Sequence, residues 1–235
     1  MDFYLVDFYL EALRQSYQLI RQLDPLILDA LLRSLKIATI ATVIAALIGI
    51  PLGALIALYQ FRGKRLVITF FSTLMGMPTV VVGLLLYGLY TRKGILGDWG
   101  LLYTETALIS AEALLSFPII TRLTISALTK IDLRFKQTLI TLGAKPWQVI
   151  YLSLREVINS IAAAIITGYG RAISEVGAAM IVGGNIKGRT RTLTTAIALE
   201  TSKGEFPLAL AMGLCLLMVF LFLNLLLLKL QNVDS

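Results

Sequence analysis

The residues best equipped for chemistry stand between positions 168 and 204. Arg171 and Glu175 lie four apart in an otherwise apolar stretch, and Lys187, Arg189 and Arg191 alternate with Gly188, Thr190 and Thr192 just beyond it. Cations interleaved with hydroxyls, here including Thr194 and Thr195, are the donors an oxyanion needs when it leaves water. Gly183, Gly184 and Gly188, with Asn185 between them, would let backbone N–H groups approach the same ion closely. The alternative is a solvated loop whose charges meet lipid headgroups or another protein. Arg171 and Glu175 carry a similar ambiguity, because a pair at helical spacing either neutralises itself or lines a pathway. Gly183, Gly188, Arg189 and Thr190 also mimic the spacing of a nucleotide-binding P-loop, with Arg where Lys belongs. A working P-loop follows a strand and sits in a sheet; this segment follows an apolar span, so ATP hydrolysis is not expected of this chain.

Other chemistries fall away with the residue types that are missing. The sequence has no histidine and one cysteine, Cys215, inside an apolar run. The common zinc sites and the Ser/His/Asp and Cys/His triads are therefore excluded, and so is an intrachain disulfide. We expect no metal and no cofactor bound by this chain. The net charge of +7 comes largely from Lys and Arg in short loops between apolar runs, where headgroups are nearer partners than nucleic acid. Asp2, Asp7 and Glu11 stand where a cleavable signal would be positive, so no signal peptide is expected.

What must position the polar cluster is a set of membrane spans. Only 15% of residues are charged and the mean hydropathy is +0.83, against roughly a quarter charged in a soluble domain. Uncharged runs at Ile37–Tyr59, Leu66–Thr91 and Phe206–Leu228 are each long enough to cross about 30 Å of hydrocarbon. Two further stretches, about 106–128 and 157–183, are apolar but contain or border Glu112, Arg122, Arg171 and Glu175. Ionisable groups at that depth face a bundle interior or a watery cavity. The expected fold is thus an all-α integral membrane bundle of about five spans (34–230). It is preceded by an amphipathic segment, 1–33, with Phe3, Val6, Leu10, Leu13, Tyr17 and Ile20 at helical spacing. Pro25, with Asp24 ahead of it, should break that first helix, and Gly49 and Gly53 have the spacing of a close helix contact. Lys and Arg divide almost evenly between the two sets of loops, so the positive-inside rule hardly chooses an orientation. The dense Phe61–Arg65 connection favours a cytoplasmic position for it and for the 130–156 loop, with the N-terminus outside and the C-terminus cytoplasmic.

The 130–156 connection reads as two short helices. Leu133, Phe135, Leu139, Ile140, Val149, Ile150 and Leu154 form an apolar side, and Gly143, Lys145 and Pro146 supply a break. Such a hairpin either caps its own bundle or presents a knob to a partner.

Gln137-Thr138-Leu139, three residues, Gly143 and the following Ala144-Lys-Pro-Trp147 resemble the EAA loop of ATP-binding-cassette importer permeases. That family's pattern is Glu-Ala-Ala, three residues, Gly, nine residues, Ile, one residue, Leu-Pro. The central glycine matches; Gln137-Thr138-Leu139, Ser153 and Arg155-Glu156 depart from it. The stretch Gly168–Gly204, together with Thr73-Leu-Met-Gly-Met-Pro-Thr-Val-Val-Val-Gly83, is similar to tungstate importer permeases, with molybdate permeases carrying a looser version.

The resemblance implies a homodimeric permease in a prokaryotic-type plasma membrane. Two cytoplasmic ATPase subunits would bind ATP and Mg, and an external substrate-binding protein would deliver tungstate. It further implies that Gln137, Thr138, Leu139, Gly143, Ala144 and Trp147 couple the permease to the ATPases. Arg171, Glu175, Gly183, Gly184, Asn185, Lys187, Arg189, Thr190 and Arg191 are the candidate anion pathway. A permease for molybdate, sulfate or another small solute remains open, as does an ATP-independent carrier or channel; an intramembrane enzyme lacks the residues it would need.

Overall fold

Asp24 and Pro25 set the first corner of the chain. The Asp24 carboxylate accepts the Leu26 amide at 2.8 Å, and Pro25 occupies the first helical turn, where its missing N–H costs nothing. In the computed structural model, which describes residues 2–231 with the side chains of 2–6, 133, 230 and 231 outside that description, this corner separates α1 (Asp2–Arg21) from α2 (Pro25–Leu58). The break falls where Pro25 predicts it, and residues 25–33 belong to the helix that becomes the first span. The stripe read as the apolar side of α1 is divided: Leu10, Leu13 and Tyr17 are exposed, Ile20 is half-buried against the cluster of Ile27, Leu193 and Met212, and Phe3 and Val6 lie outside the described side chains. The buried side of α1 carries Ala12 and Ser16, whose hydroxyl donates to the Pro207 carbonyl of α11 (Phe206–Gln231) at 2.7 Å.

The remaining elements are α3 (Lys64–Met75), α4 (Thr79–Tyr90), a 3-10 turn at Gly97–Trp99, α5 (Glu105–Leu128), α6 (Leu133–Thr141), α7 (Pro146–Glu156), α8 (Ile158–Ile173), α9 (Gly177–Gly183) and α10 (Leu193–Lys203). Among the described residues every regular element is helical. Three helices, α2, α5 and α11, are long and apolar enough to cross a membrane, and the number rises to five if each of two bent pairs is one span. Those pairs, α3–α4 and α7–α8, bend by 95° and 75°. The run Leu66–Thr91 is therefore an elbow rather than a straight helix, because Gly76 ends α3 and Pro78 caps α4. The 157–183 stretch is likewise interrupted, at Ser174–Val176 between α8 and α9.

The core forms where α2 lies along α5. Gly49 approaches Phe117, Ile120 and Thr121, while Gly53 approaches Thr121 and Thr124, so the two helices run parallel. A Cβ on Gly53 would sit 2.8 Å from the Thr121 carbonyl oxygen, which is why this crossing needs glycine. Pro51 and Pro118 lie inside continuous helices. On the other side of α5, the Ser116 hydroxyl donates to the Gly168 carbonyl of α8 at 2.9 Å. Ile37, Val82, Leu108, Ala178 and Val182 fill the space between α2, α4, α5 and α9.

Candidate functional site

Two regions carry the residues singled out by sequence. The first is the hairpin of α6 and α7. Asp132 caps α6 by accepting the Arg134 amide at 2.9 Å, and Gly143 turns the chain with φ +79°, a left-handed conformation in open space. Pro146 then opens α7, where the Gln148 side chain accepts the Lys145 amide at 2.7 Å. The turn presents Leu142, 79% exposed, and Trp147, 64% exposed, with Ile140 and Tyr151 beside them. Gln137 and Thr138 are exposed, whereas Leu139 and Ala144 are half-buried. Exposed apolar groups clustered on a hairpin tip are the kind of surface at which proteins meet one another.

The hairpin is also bolted to the bundle. The Lys136 ammonium donates to the Leu58 carbonyl, and Lys64 donates to Ala57 at 2.7 Å and Tyr59 at 3.1 Å. Two lysines thus satisfy the open carbonyls at the end of α2. Val149 and Ser153 are buried on the inner side of α7. Sequence reasoning missed both roles; a cation shortly after a helix end was the available signal for Lys64, and nothing local pointed to Lys136, 78 residues from its acceptor.

The second region begins at the α8–α9 break. Arg171 Nη1 donates to Glu175 Oε2 at 2.8 Å, and Glu175 Oε1 accepts the Ala178 amide at 2.8 Å. Glu175 is buried, and it stands in the break rather than on the same helix as Arg171. The pair therefore neutralises a charge at depth and supplies the cap that α9 lacks. Thr194 donates its hydroxyl to the Glu175 carbonyl at 2.7 Å, tying α10 to the same break. Glu112, the other carboxyl of this depth, is buried in α5, and its Oε2 has no hydrogen-bond partner among the described residues.

Beyond α9 the chain folds tightly. Gly184 and Gly188 adopt φ +66° and +73°, and Asn185 adopts +50°. Gly183 packs on Leu108, and the Thr190 hydroxyl donates to its carbonyl at 2.6 Å while accepting the Ile186 amide at 2.9 Å. Thr192 and Thr195 cap α10 reciprocally. The threonine hydroxyls at 190, 192, 194 and 195 are thus buried and spent on local structure. Arg191 is half-buried, with Nη2 3.4 Å from the Asn185 carbonyl and Nη1 3.9 Å from Glu200. Lys187 and Arg189 are exposed. The Arg33 guanidinium of α2 joins this loop to the bundle, donating to Glu105 at 2.6 Å, to Asp29 at 2.7 Å and to the Arg189 carbonyl at 3.0 Å. Among the described residues no group of His, Cys, Asp and Glu could hold a metal ion.

Residues 49–233, which take in both the hairpin and the folded loop, match the family model for binding-protein-dependent transport system inner membrane components. The chain belongs to that family. It is 42% identical over 201 residues to the tungstate uptake system permease protein TupB of Peptoclostridium acidaminophilum, covering 86% of this chain and 88% of that one. It is 35% identical to TupB of Campylobacter jejuni, over 86% of this chain and 84% of its relative. The molybdenum transport system permease protein ModB of Escherichia coli K12 is 31% identical, over 75% and 82% of the two chains. In fold, this inner membrane component is similar to the crystal structure of an amino acid ABC transporter with histidines, with a TM-score of 0.65 and 18% identity over 91% of this chain and 96% of that one. Family and helices together make it a multi-pass membrane protein with an ABC permease fold.

Proposed function

We propose that this chain is the permease subunit of an ATP-driven importer that carries tungstate, or an oxyanion of the same charge and shape, into the cytoplasm. The observation that carries the reading is the α6–α7 hairpin, held to the bundle on its inner side but with Leu142 and Trp147 uncovered at its tip, in a chain so close to two tungstate permeases. Two copies of the chain would form the membrane unit. Two cytoplasmic ATPase subunits, each binding ATP and Mg, would grip the hairpins, and an external binding protein would deliver the ion. The N-terminus is then outside, and the C-terminus is cytoplasmic.

Movement of the hairpin has two mechanical outlets. Lys136 passes it to the end of α2, and the bend between α7 and α8 passes it to the helix that carries Arg171. Switching between outward and inward openings requires that the two states bind their partners differently, and a hinged connection supplies that difference where a rigid one could not. The exposed Lys187 and Arg189 would attract the anion at the outer mouth, with Arg191, Asn185 and the glycines fixing the loop that bears them.

The reading is tested in proteoliposomes holding the complex that co-purifies with this chain in mild detergent. ATP-dependent uptake of tungstate that exceeds that of sulfate is expected, whereas uptake without ATP, driven by an ion gradient, would overturn it. Molybdate is the second candidate because ModB is also a relative, and competition between the two oxyanions decides their order.

A further inference from the structure

Of the ionisable groups at membrane depth, Arg171 and Glu175 satisfy each other and Glu112 is enclosed. Arg122 is different. It lies six residues before the end of α5, about 9 Å inside at 1.5 Å per residue, and it is only half-buried. Its Nε donates to the Ser72 hydroxyl of α3 at 2.9 Å, and no carboxylate pairs with it among the described residues. At the centre of a span a guanidinium facing lipid costs on the order of 2.5–3.5 kcal/mol, and towards the end of α5 the same penalty, though smaller, still favours polar company over lipid on this face.

The surroundings agree. Arg122 and Ser126 on α5, with Lys130 two residues past its end, follow at four-residue spacing and make one stripe. Opposite Ser126 and Lys130, α8 offers Asn159, Ser160 and Thr167, and the two helices enclose an open groove of about 370 Å³ with small alanines on its floor. That is the liquid volume of roughly twelve waters. The Ser72 and Thr167 hydroxyls donate to carbonyls four residues back, at 2.9 and 2.8 Å. Rotation about one bond would turn each proton towards a passing oxygen. Two cations that pair with no carboxylate among the described residues, beside a row of hydroxyls, suit an oxyanion and repel a cation.

We propose that Arg122, Ser126 and Lys130, with Ser72 and Thr167, line the route of a hydrated tetrahedral oxyanion between mid-bundle and the end bearing the α6–α7 hairpin. The substrate class rests on the function proposed above; the route itself does not. In the Cys215→Ser background, Ser126→Cys and Thr167→Cys are labelled in the reconstituted complex with anionic and cationic thiosulfonates of equal size. The expected result is modification about tenfold or more faster by the anionic reagent, the scale of rate enhancement by a focused field. Arg122→Gln should reduce that preference severalfold and lower tungstate uptake about tenfold, with Arg122→Lys restoring part of both.

Reaction as slow as that of Leu221→Cys on the exposed face of α11, or equal rates for the two reagents, would overturn the route. A complex that takes up no tungstate, molybdate or sulfate yet keeps the charge preference would overturn the substrate reading and leave the route standing. Where Arg122→Gln fails to reach the membrane, Lys130→Gln read by the same ratio carries the test: an unchanged ratio counts against the stripe, and a lowered one supports it.

Discussion

Lys136 and Leu58, far apart in sequence, are joined by a hydrogen bond from the Lys136 ammonium to the Leu58 carbonyl. The bond fixes the α6–α7 hairpin to the end of the helix that forms the centre of the bundle. Its loss should loosen coupling before it loosens the fold. Lys136→Met is expected to cost about 1–2 kcal/mol, lower the detergent melting temperature slightly, and leave ATP hydrolysis running with severalfold less uptake. The ratio of phosphate released to anion accumulated is the measurement that checks it.

Gly143 turns the hairpin with φ +79° and nothing near its missing side chain. Gly143→Glu therefore adds backbone strain of about 1–2 kcal/mol and places a charge on the exposed tip. Uptake should vanish while membrane levels of the protein stay normal. Immunoblots of membranes beside uptake assays separate loss of coupling from loss of protein.

Trp147 and Leu142 are exposed, so replacing them by Ala should hardly alter the permease alone. As anchors of a docked partner they should each weaken association with the ATPase by about 2 kcal/mol, roughly thirtyfold. Titration of purified ATPase against permease in nanodiscs reads this directly; unchanged affinity for both variants would place docking elsewhere.

Glu175→Gln keeps an acceptor for the Ala178 amide and strands the Arg171 charge. The expected cost is about 3 kcal/mol, part of which Arg171→Met in the same chain should recover. Thermal unfolding of the two single variants and the double variant tests it, and additive losses would mean that the two residues do not act as a pair.

At the α2–α5 crossing, a Cβ on Gly53 would meet the Thr121 carbonyl and Thr124 at 2.8 Å, whereas one on Gly213 meets nothing within 4 Å. Gly53→Ala should destabilise by about 1–3 kcal/mol; Gly213→Ala should be neutral or stabilising by up to about 1 kcal/mol. Their melting temperatures in one detergent make the comparison.

The long apolar runs made the all-helical membrane bundle legible, and Asp24-Pro25 announced the first corner. The elbow at Gly76–Pro78 was legible only as a proline within an apolar run, because a hydropathy window averages over a bend and both halves are apolar. In the polar loop the sequence supplied donors but could not tell a free hydroxyl from one already bonded to backbone. Thr190 and Thr194 look alike in the chain and both turn inward. Sequence likewise grouped Glu112, Arg122 and Arg171 as one class. Only the packing separates an enclosed carboxyl, a half-buried arginine bonded to a serine hydroxyl and an arginine neutralised by its neighbour.

The 95° elbow has a further consequence. Its first arm, α3, rests on α5, and its second arm, α4, rests on α9. The two supports also meet each other, since Gly183 of α9 lies against Leu108 of α5. The elbow thus closes a ring of four helices, and neither arm can shift without its neighbours being displaced or the corner at Gly76–Pro78 changing its angle.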